Sequence, residues 1–347
     1  MKKSVYLSIL GLLTLISCDL SAPKNGGSDD GTFVDEVVIK TTPVKNQGSS
    51  SLCWLYGMFA TIESEHLMKG DSVNLSIDYP ARMMLRDGAI RYFFSHNPDD
   101  VAMHGMSSRA IRLLQTYGAM PYDSYYSRQP VNYGVLSRKA QQIAHASVSL
   151  RQLDGHLENV FDENIGYLPK MVFMLGAEYT PLEFAHSVCL PGEYVSLTSF
   201  SHHPFGSKFV LEVPDNVSRD SFLNVPIDTL MHRTLQAIRF GHPVCWEGDI
   251  SEPGFDFTKG IASLPTGVSH PDQRQRQRAF EAHRTTDDHV MELCGLARDK
   301  AGHQYFLAKN SWGTDNHYHG FMYLSYDYVK LKTIALYMSR EAWASQW

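Results

Sequence analysis

Basic surface is what this chain has little of. Across 347 residues the formal net charge is -6, with 31 Lys and Arg against 37 Asp and Glu. That balance offers no broad cationic face to a phosphate backbone, so nucleic acid is not an expected partner. The one dense basic run, Arg274-Gln275-Arg276-Gln277-Arg278, is expected on a solvated loop or helix face. Cysteine is scarce as well: Cys18, Cys53, Cys189, Cys245 and Cys294, with no C-x-x-C pair. This argues against a zinc ribbon or a dithiol redox motif. Internal repeats are absent, and the run Gly26-Gly27-Ser28-Asp29-Asp30-Gly31 is the only low-complexity tract.

What is present fits a globular protein with a substantial core, at 43% hydrophobic and 20% charged residues. The first residues differ from the rest. Lys2 and Lys3 precede an apolar run from Val5 to Leu15 that is too short to span a bilayer as a helix. It ends Leu15-Ile16-Ser17-Cys18. This resembles the bacterial lipoprotein signal, in which a small residue precedes a cysteine that becomes lipidated. The resemblance implies a signal over residues 1–18, acyl chains on Cys18, and a lipid-anchored place in the bacterial cell envelope. An ordinary cleaved signal peptide is the alternative. Residues 19–33 read as a flexible tether, because they hold almost nothing to bury.

The chemistry concentrates in three short segments. The first is Pro43-Val44-Lys45-Asn46-Gln47-Gly48, leading to Cys53-Trp54. The second is Asp287-Asp288-His289-Val290-Met291, and the third is Lys309-Asn310-Ser311-Trp312-Gly313. A cysteine nucleophile needs a base, a group to orient that base and a donor for the developing oxyanion. Cys53, His289, Asn310 and Gln47 supply these residue types. Apolar residues at Trp54, Leu55, Met58, Phe59, Ile62 and Leu67 have helical spacing, and Gly70 supplies a stop. Cys53 is thus expected at a helix N-terminus, where the macrodipole favours the thiolate. Further helices are expected over Ser107–Tyr117, ended by Gly118, and over Asp228–Phe240, capped by Asp228 and ended by Gly241. Strands are expected at Tyr194–Leu197, Lys208–Val213, Pro243–Glu247, Val290–Leu296, Tyr305–Lys309, Gly320–Ser325 and Thr333–Met338. The chain therefore reads as mainly helical first and mainly β later. Of Cys189, Cys245 and Cys294, two are able to form a disulfide or all three to be buried thiols, with Cys294 expected in the core.

These segments resemble the papain superfamily of cysteine peptidases, and within it the bleomycin hydrolase and aminopeptidase C branch. Glu193-Tyr194-Val195-Ser196-Leu197, Leu223-Asn224-Val225-Pro226-Ile227-Asp228 and Gly241-His242-Pro243-Val244 resemble that branch in order and spacing. His289 follows Cys53 by 236 residues, against the roughly 130–150 of ordinary papain-like enzymes, which implies insertions between the lobes. Where papain carries a disulfide-bonded cysteine three residues before the nucleophile, this chain has Ser50. The resemblance implies an α+β papain-like fold over residues 34–347. A helical lobe spans about 50–190, a β-barrel-like lobe about 191–347, and a cleft runs between them. It implies Cys53 as nucleophile, His289 as general base and acid, Asn310 as its orienting group and Gln47 as oxyanion donor beside the Cys53 N–H. Trp312 would cover the Asn310–His289 bond. Trp54, Gly105 and Trp312 stand as substrate-binding candidates, with His104 where the family has the first of two glycines.

Three departures qualify the resemblance. The family's longer C-terminal tail is not seen after Met338, no room exists between Cys18 and Phe33 for a papain-type propeptide, and the chain is shorter than ring-forming members. An open cleft that also accepts N-terminally blocked peptides is therefore expected. The expected partner is a peptide or protein substrate, with no metal and no organic cofactor. His202-His203 and His317-Tyr318-His319 are expected on the surface, and Asp287, Asp288 and His283 fit no standard zinc spacing. A small-amide hydrolase and a catalytically idle peptide- or glycan-binding lipoprotein are the rival readings.

Overall fold

A helical run followed by a strand-rich run organises the molecule. The computed structural model describes residues 32–174, 176–265 and 267–344. The expected signal segment, Cys18 and the tether as far as residue 31 lie outside the described residues. Strand β1 (Phe33–Val38) precedes six helices: α1 (Cys53–Lys69), α2 (Asp78–Ser95), α3 (Ser107–Tyr117), α4 (Tyr133–Ala146), α5 (Leu150–Asn164) and α6 (Pro181–Val188). A small pair, β2 (Val172–Met174) and β3 (Ala177–Tyr179), lies between α5 and α6. Next come β4 (Tyr194–Thr198), β5 (Lys208–Val210), β6 (Ser221–Asn224), α7 (Ile227–Arg239), β7 (Val244–Gly248), β8 (Phe255–Asp256), β9 (Ile261–Ala262) and α8 (Gln273–Glu281). The chain continues with β10 (His289–Asp299), β11 (Gln304–Lys309), β12 (Phe321–Ser325), α9 (Tyr326–Lys332), β13 (Thr333–Ser339) and α10 (Arg340–Ala344).

The main sheet runs β5-β6-β4-β13-β7-β10-β11-β12-β9-β8, with β1 also paired to β10. One apolar cluster fills the helical lobe and reaches Val290 and Tyr337 on the sheet; a second lies within the β lobe. Helix α1 is buried on nearly every side from Trp54 to Glu65, because it is wedged between α3 and β10. Gly70 ends it at φ 91°, its N–H bonding the carbonyls of His66 and Leu67.

Some expectations shift. Phe33 is not tether: it lies in β1, 5% exposed, with its ring stacked on Tyr323 at 4.0 Å. Helix α7 starts at Ile227 after Pro226 and has no side-chain cap. Asp228 sits in its first turn and pairs with Lys330 at 2.7 Å. Strand β5 stops at Val210, because its partner β6 begins at Ser221 and offers nothing beyond it to pair with. The basic run lies on α8, and it is not a solvated face throughout. Arg276 is fully buried, donating through Nε to the Ser199 carbonyl at 2.8 Å with its guanidinium 4.6 Å above the Phe200 ring. Helical periodicity turns Arg276 and Gln277 inward while Arg274 and Arg278 stay exposed. Tyr318 is likewise buried between exposed His317 and His319. Cys189, Cys245 and Cys294 are buried free thiols, so no disulfide forms among the described residues.

The loop before β10 is anchored by a buried lysine. Lys332 Nζ donates to Asp249 Oδ2 at 3.0 Å, to the Arg284 carbonyl at 2.5 Å and to Glu252. Both Lys332 and Asp249 are buried. Removing one partner of a buried pair strands the other charge, at a cost of about 3–5 kcal/mol. Lys332→Met is therefore expected to lower stability by that order in urea unfolding; a change below about 1 kcal/mol would contradict it.

Candidate active site

Cys53 is the first residue of α1, as its position before an apolar helical run implies. The helix meets β10 through Gly57, one turn further on. A Cβ there would fall 2.5 Å from Val290 Cγ1, so the missing side chain is what lets α1 lie close against the strand that begins with His289. The two segments are 236 residues apart in sequence, and this contact brings them together.

His289 is 3% exposed, and its Nε2 lies 2.7 Å from Asn310 Oδ1. The same oxygen accepts the Ser311 N–H at 2.7 Å. With two N–H groups converging on Oδ1, the Asn310 amide is fixed and Nε2 of His289 carries a proton. Nδ1 is left as the basic ring nitrogen. Register across β10 and β11 explains the meeting, since Glu292 pairs with Lys309 just before the strands diverge. The Trp312 ring lies 4.6 Å from the imidazole and is itself walled by Phe255 and Phe257. It shields the His289–Asn310 bond from water.

Gln47 is tied to the same corner. Its backbone N–H donates to the Ser311 carbonyl at 2.8 Å, and its Oε1 accepts the Ser311 hydroxyl at 2.6 Å. Nε2 donates to the Ser50 carbonyl at 2.8 Å, which leaves its second hydrogen for another acceptor. Behind it, Glu63 of α1 binds the incoming segment, accepting from Thr42 Oγ1 at 2.5 Å, Lys45 Nζ at 2.6 Å and the Leu75 N–H at 2.7 Å. The residues either side of the gap are thus clamped to the helix that carries Cys53.

Electrostatics depart from the simple helix-dipole expectation. Burial pushes the Cys53 thiol up to about 12, and Glu247 and Asp287 add to the rise. Burial pushes His289 down to about 4, opposed by the Asn310 hydrogen bond. Desolvation and two nearby carboxyls oppose the macrodipole and disfavour the charged form of each group.

Two substrate-binding candidates lie elsewhere. Trp54 is 1% exposed and donates from Nε1 to the Met103 carbonyl at 3.0 Å, so it braces the 103–107 loop from the core. Gly105 is buried, and a Cβ there would meet Arg109 Cδ at 2.9 Å. Its lack of a side chain makes room for Arg109. His104 pairs instead with Asp215 at 3.0 Å. Motif reading missed Glu247, and it named Asp287 only as part of the histidine segment, without its influence on Cys53.

One His-rich cluster has ligand-like spacing: His202, His203 and Glu212. Gln277 accepts from the Ser201 N–H through Oε1 and faces His202 Nδ1 with Nε2 at 3.0 Å. His202 Nδ1 is therefore an acceptor, and its Nε2 carries the hydrogen that Glu212 accepts. That ring presents no lone pair to a metal on the Glu212 side.

The architecture is that of the papain-like cysteine peptidases, a helical lobe and a β lobe with the cleft between them. Residues 172–340 match the family model described as Peptidase C1-like family. The solved structure of PepW from Lactobacillus rhamnosis HN001 has a TM-score of 0.69 at 16% identity, covering 89% of this chain and 82% of that chain. Bromelain from Ananas comosus gives 0.40 at 15% identity over 89% of this chain and 98% of its own. Digestive procathepsin L 3 of Tenebrio molitor gives 0.41 at 15% identity over 89% and 69%. The likeness in fold rests on PepW. No curated protein matches the sequence.

Proposed function

We propose that this protein is a cysteine peptidase that hydrolyses peptide bonds through Cys53, His289, Asn310 and Gln47. The observation that carries this reading is the buried 2.7 Å contact between His289 and Asn310 beside the helix start at Cys53. His289 Nδ1 takes the thiol proton as Sγ bonds to the substrate carbonyl carbon. The oxyanion is received by the free hydrogen of Gln47 Nε2 and the Cys53 N–H. The C–N bond then breaks, and His289 returns the proton to the leaving amine. Water, deprotonated by His289, splits the thioester and restores the thiol.

Gly57 tests the geometry without touching the reacting atoms. Gly57→Ala is expected to push α1 off Val290 and reduce kcat/KM by about 10–100-fold, the scale of a misplacement near 1 Å. Steady-state kinetics beside a thermal melt checks this. A folded variant with unchanged kcat/KM would contradict it.

The finer reading follows the bleomycin hydrolase and aminopeptidase C resemblance of the 44–54, 287–291 and 309–313 segments. Paired fluorogenic peptides, one N-terminally free and one blocked, separate the modes. Cleavage of the blocked peptide, lost in Cys53→Ala, marks an endopeptidase; cleavage of the free peptide alone marks an aminopeptidase. Turnover of neither, with hydrolysis of non-peptide amides, would favour a small-amide hydrolase. Leu15-Ile16-Ser17-Cys18 further supports a lipid anchor at Cys18 and a place in the cell envelope. In a bacterial host, Cys18→Ala is expected to move the protein from the detergent phase to the aqueous phase of a detergent partition. Unchanged partition would contradict the anchor.

A further inference from the structure

The loop that joins β5 to β6 leaves the β lobe. Val210 pairs with Ser221 at the foot of this loop, a spacing that a tight turn would also bridge. Residues 211–220 instead reach the helical lobe at two points. Asp215 Oδ1 lies 3.0 Å from Nδ1 of His104, the residue before Gly105, and Asp220 pairs with Arg112 of α3. Part-exposed ion pairs contribute little by themselves, so the loop's placement rests on what is buried. Leu211 is 1% exposed and belongs to the apolar cluster of the helical lobe. Asn216 is 6% exposed; its Nδ2 donates to the carbonyls of Leu211 and Asp220, both at 2.9 Å, and its Oδ1 accepts the Asp220 N–H at 2.8 Å.

Depth separates this crossing from the contact beneath it. The lobes already meet where the Ser107 N–H donates to Glu247 Oε2 at 3.4 Å, and both of those residues are buried. The His104 and Asp215 side chains, by contrast, are 40% and 32% exposed. The 211–220 loop therefore lies on the solvent side of the inter-lobe contact. Val213 and Pro214 line a cavity of about 430 Å³ that reaches Asp287, two residues before His289. Val217 and Ser218 line another, of about 450 Å³, against Arg109, Leu113 and Thr116 of α3. A segment with one flank toward His289 and the other on α3 crosses the cleft rather than borders it.

We propose that residues 211–220 form a strap that closes the Gly105 end of the cleft and limits how many residues a substrate can carry on the acyl side of the scissile bond. The leaving amine takes its proton from His289 beside Trp312, so the acyl portion extends the other way, past Gly105 and toward the strap. A short acyl portion fits in front of it; a longer one meets packed backbone and is rejected by steric clash rather than by any lost attraction. On this reading the cleft is open on the leaving-group side only. The inference deepens the peptidase reading and rests on it for turnover, while the length limit acts on binding as well.

The strap can be excised with its strand pair kept, because an Asn-Gly turn in place of residues 211–220 joins Val210 to Ser221 as a two-residue hairpin. Two fluorogenic peptide pools carry mixed residues at the two positions before the cleaved amide. One ends there with a free amine, and the other continues through four alanines. The unsubstituted chain is expected to favour the short pool by about tenfold or more in kcat/KM. Excision is expected to bring that ratio below about three, with kcat on the short pool within about threefold of its starting value. A loop that served only stability would lower both pools together and leave the ratio alone. Asp215→Ala with Asp220→Ala, which cuts both ion pairs to the helical lobe, supplies a second variant should the excision fail to fold, and a melt is recorded for each. Calorimetric titration of Cys53→Ala with the same peptides is expected to show the same length preference in binding. Equal kcat/KM for the two pools, or a preference that survives in the folded variants, overturns the strap and leaves the peptidase reading standing. Length discrimination in binding without any Cys53-dependent turnover upholds the strap and overturns the peptidase reading. Neither binding nor turnover of either pool overturns both.

Discussion

Cys53→Ala is expected to reduce kcat by on the order of 10⁶-fold, and His289→Ala by a similar factor, with the double variant no worse than either. The reason is that neither group is ready alone. Burial and the nearby carboxyls push the thiol up to about 12, which disfavours the thiolate. An imidazole pushed down to about 4 is neutral and free to accept a proton across the whole range above that value. In the proposed reaction the sulfur becomes a nucleophile only as its proton moves to Nδ1, so removing either partner would remove the same step. The sign of the pH effect follows. In His289→Ala, alkylation of Cys53 by iodoacetamide should be slow at pH 7 and rise steeply only well above pH 9. In the unsubstituted protein it should already be fast near neutrality. Equal alkylation rates at pH 7 would mean that His289 does not take the proton.

Gln47→Ala is expected to lower kcat by about 10²–10³-fold with little change in KM, the usual consequence of losing one oxyanion donor. The amide cannot turn its oxygen toward the substrate, because Oε1 holds the Ser311 hydroxyl at 2.6 Å while Nε2 holds the Ser50 carbonyl at 2.8 Å. Its second hydrogen therefore faces a fixed direction before substrate arrives. That preorganisation acts on the transition state, where the negative charge appears, and hardly on the neutral ground-state carbonyl. Gln47→Glu should be worse still, since a carboxylate beside the oxyanion repels it. A rise in KM with kcat unchanged would show that Gln47 only helps to bind substrate.

Much of the site was legible because its signals are local. Cys-Trp at the head of an apolar helical pattern sets where α1 starts, and Gly70 sets where it ends. Turn residues around β10, β11 and β12 bracket strands whose register then carries His289 to Asn310. Other features depend on partners that no local pattern names. Arg276 looks like part of a charged surface run until the Ser199 carbonyl and the Phe200 ring give it an interior place. Trp54 reads as cleft lining beside a nucleophile, yet its indole is turned inward to the Met103 carbonyl.

Short-range periodicity by itself marked α1, α3, α7 and the strands β4, β5, β7 and β10 to β13, and residue types in three short segments named the four candidate groups for the chemistry, because each is written in spacings of a few residues; the fold class came from the resemblance of those segments, and α2, α4, α5, α6 and α8 went unread. The tertiary structure alone decided the state of those groups. It set the thiol high and the imidazole low by burying both, crossed β1 over to β10, and brought Glu247 and Asp287 beside Cys53 from segments nearly 200 or more residues away. Desolvation and Coulomb interaction depend on distance through space, and sequence separation carries no information about that distance until the chain has packed.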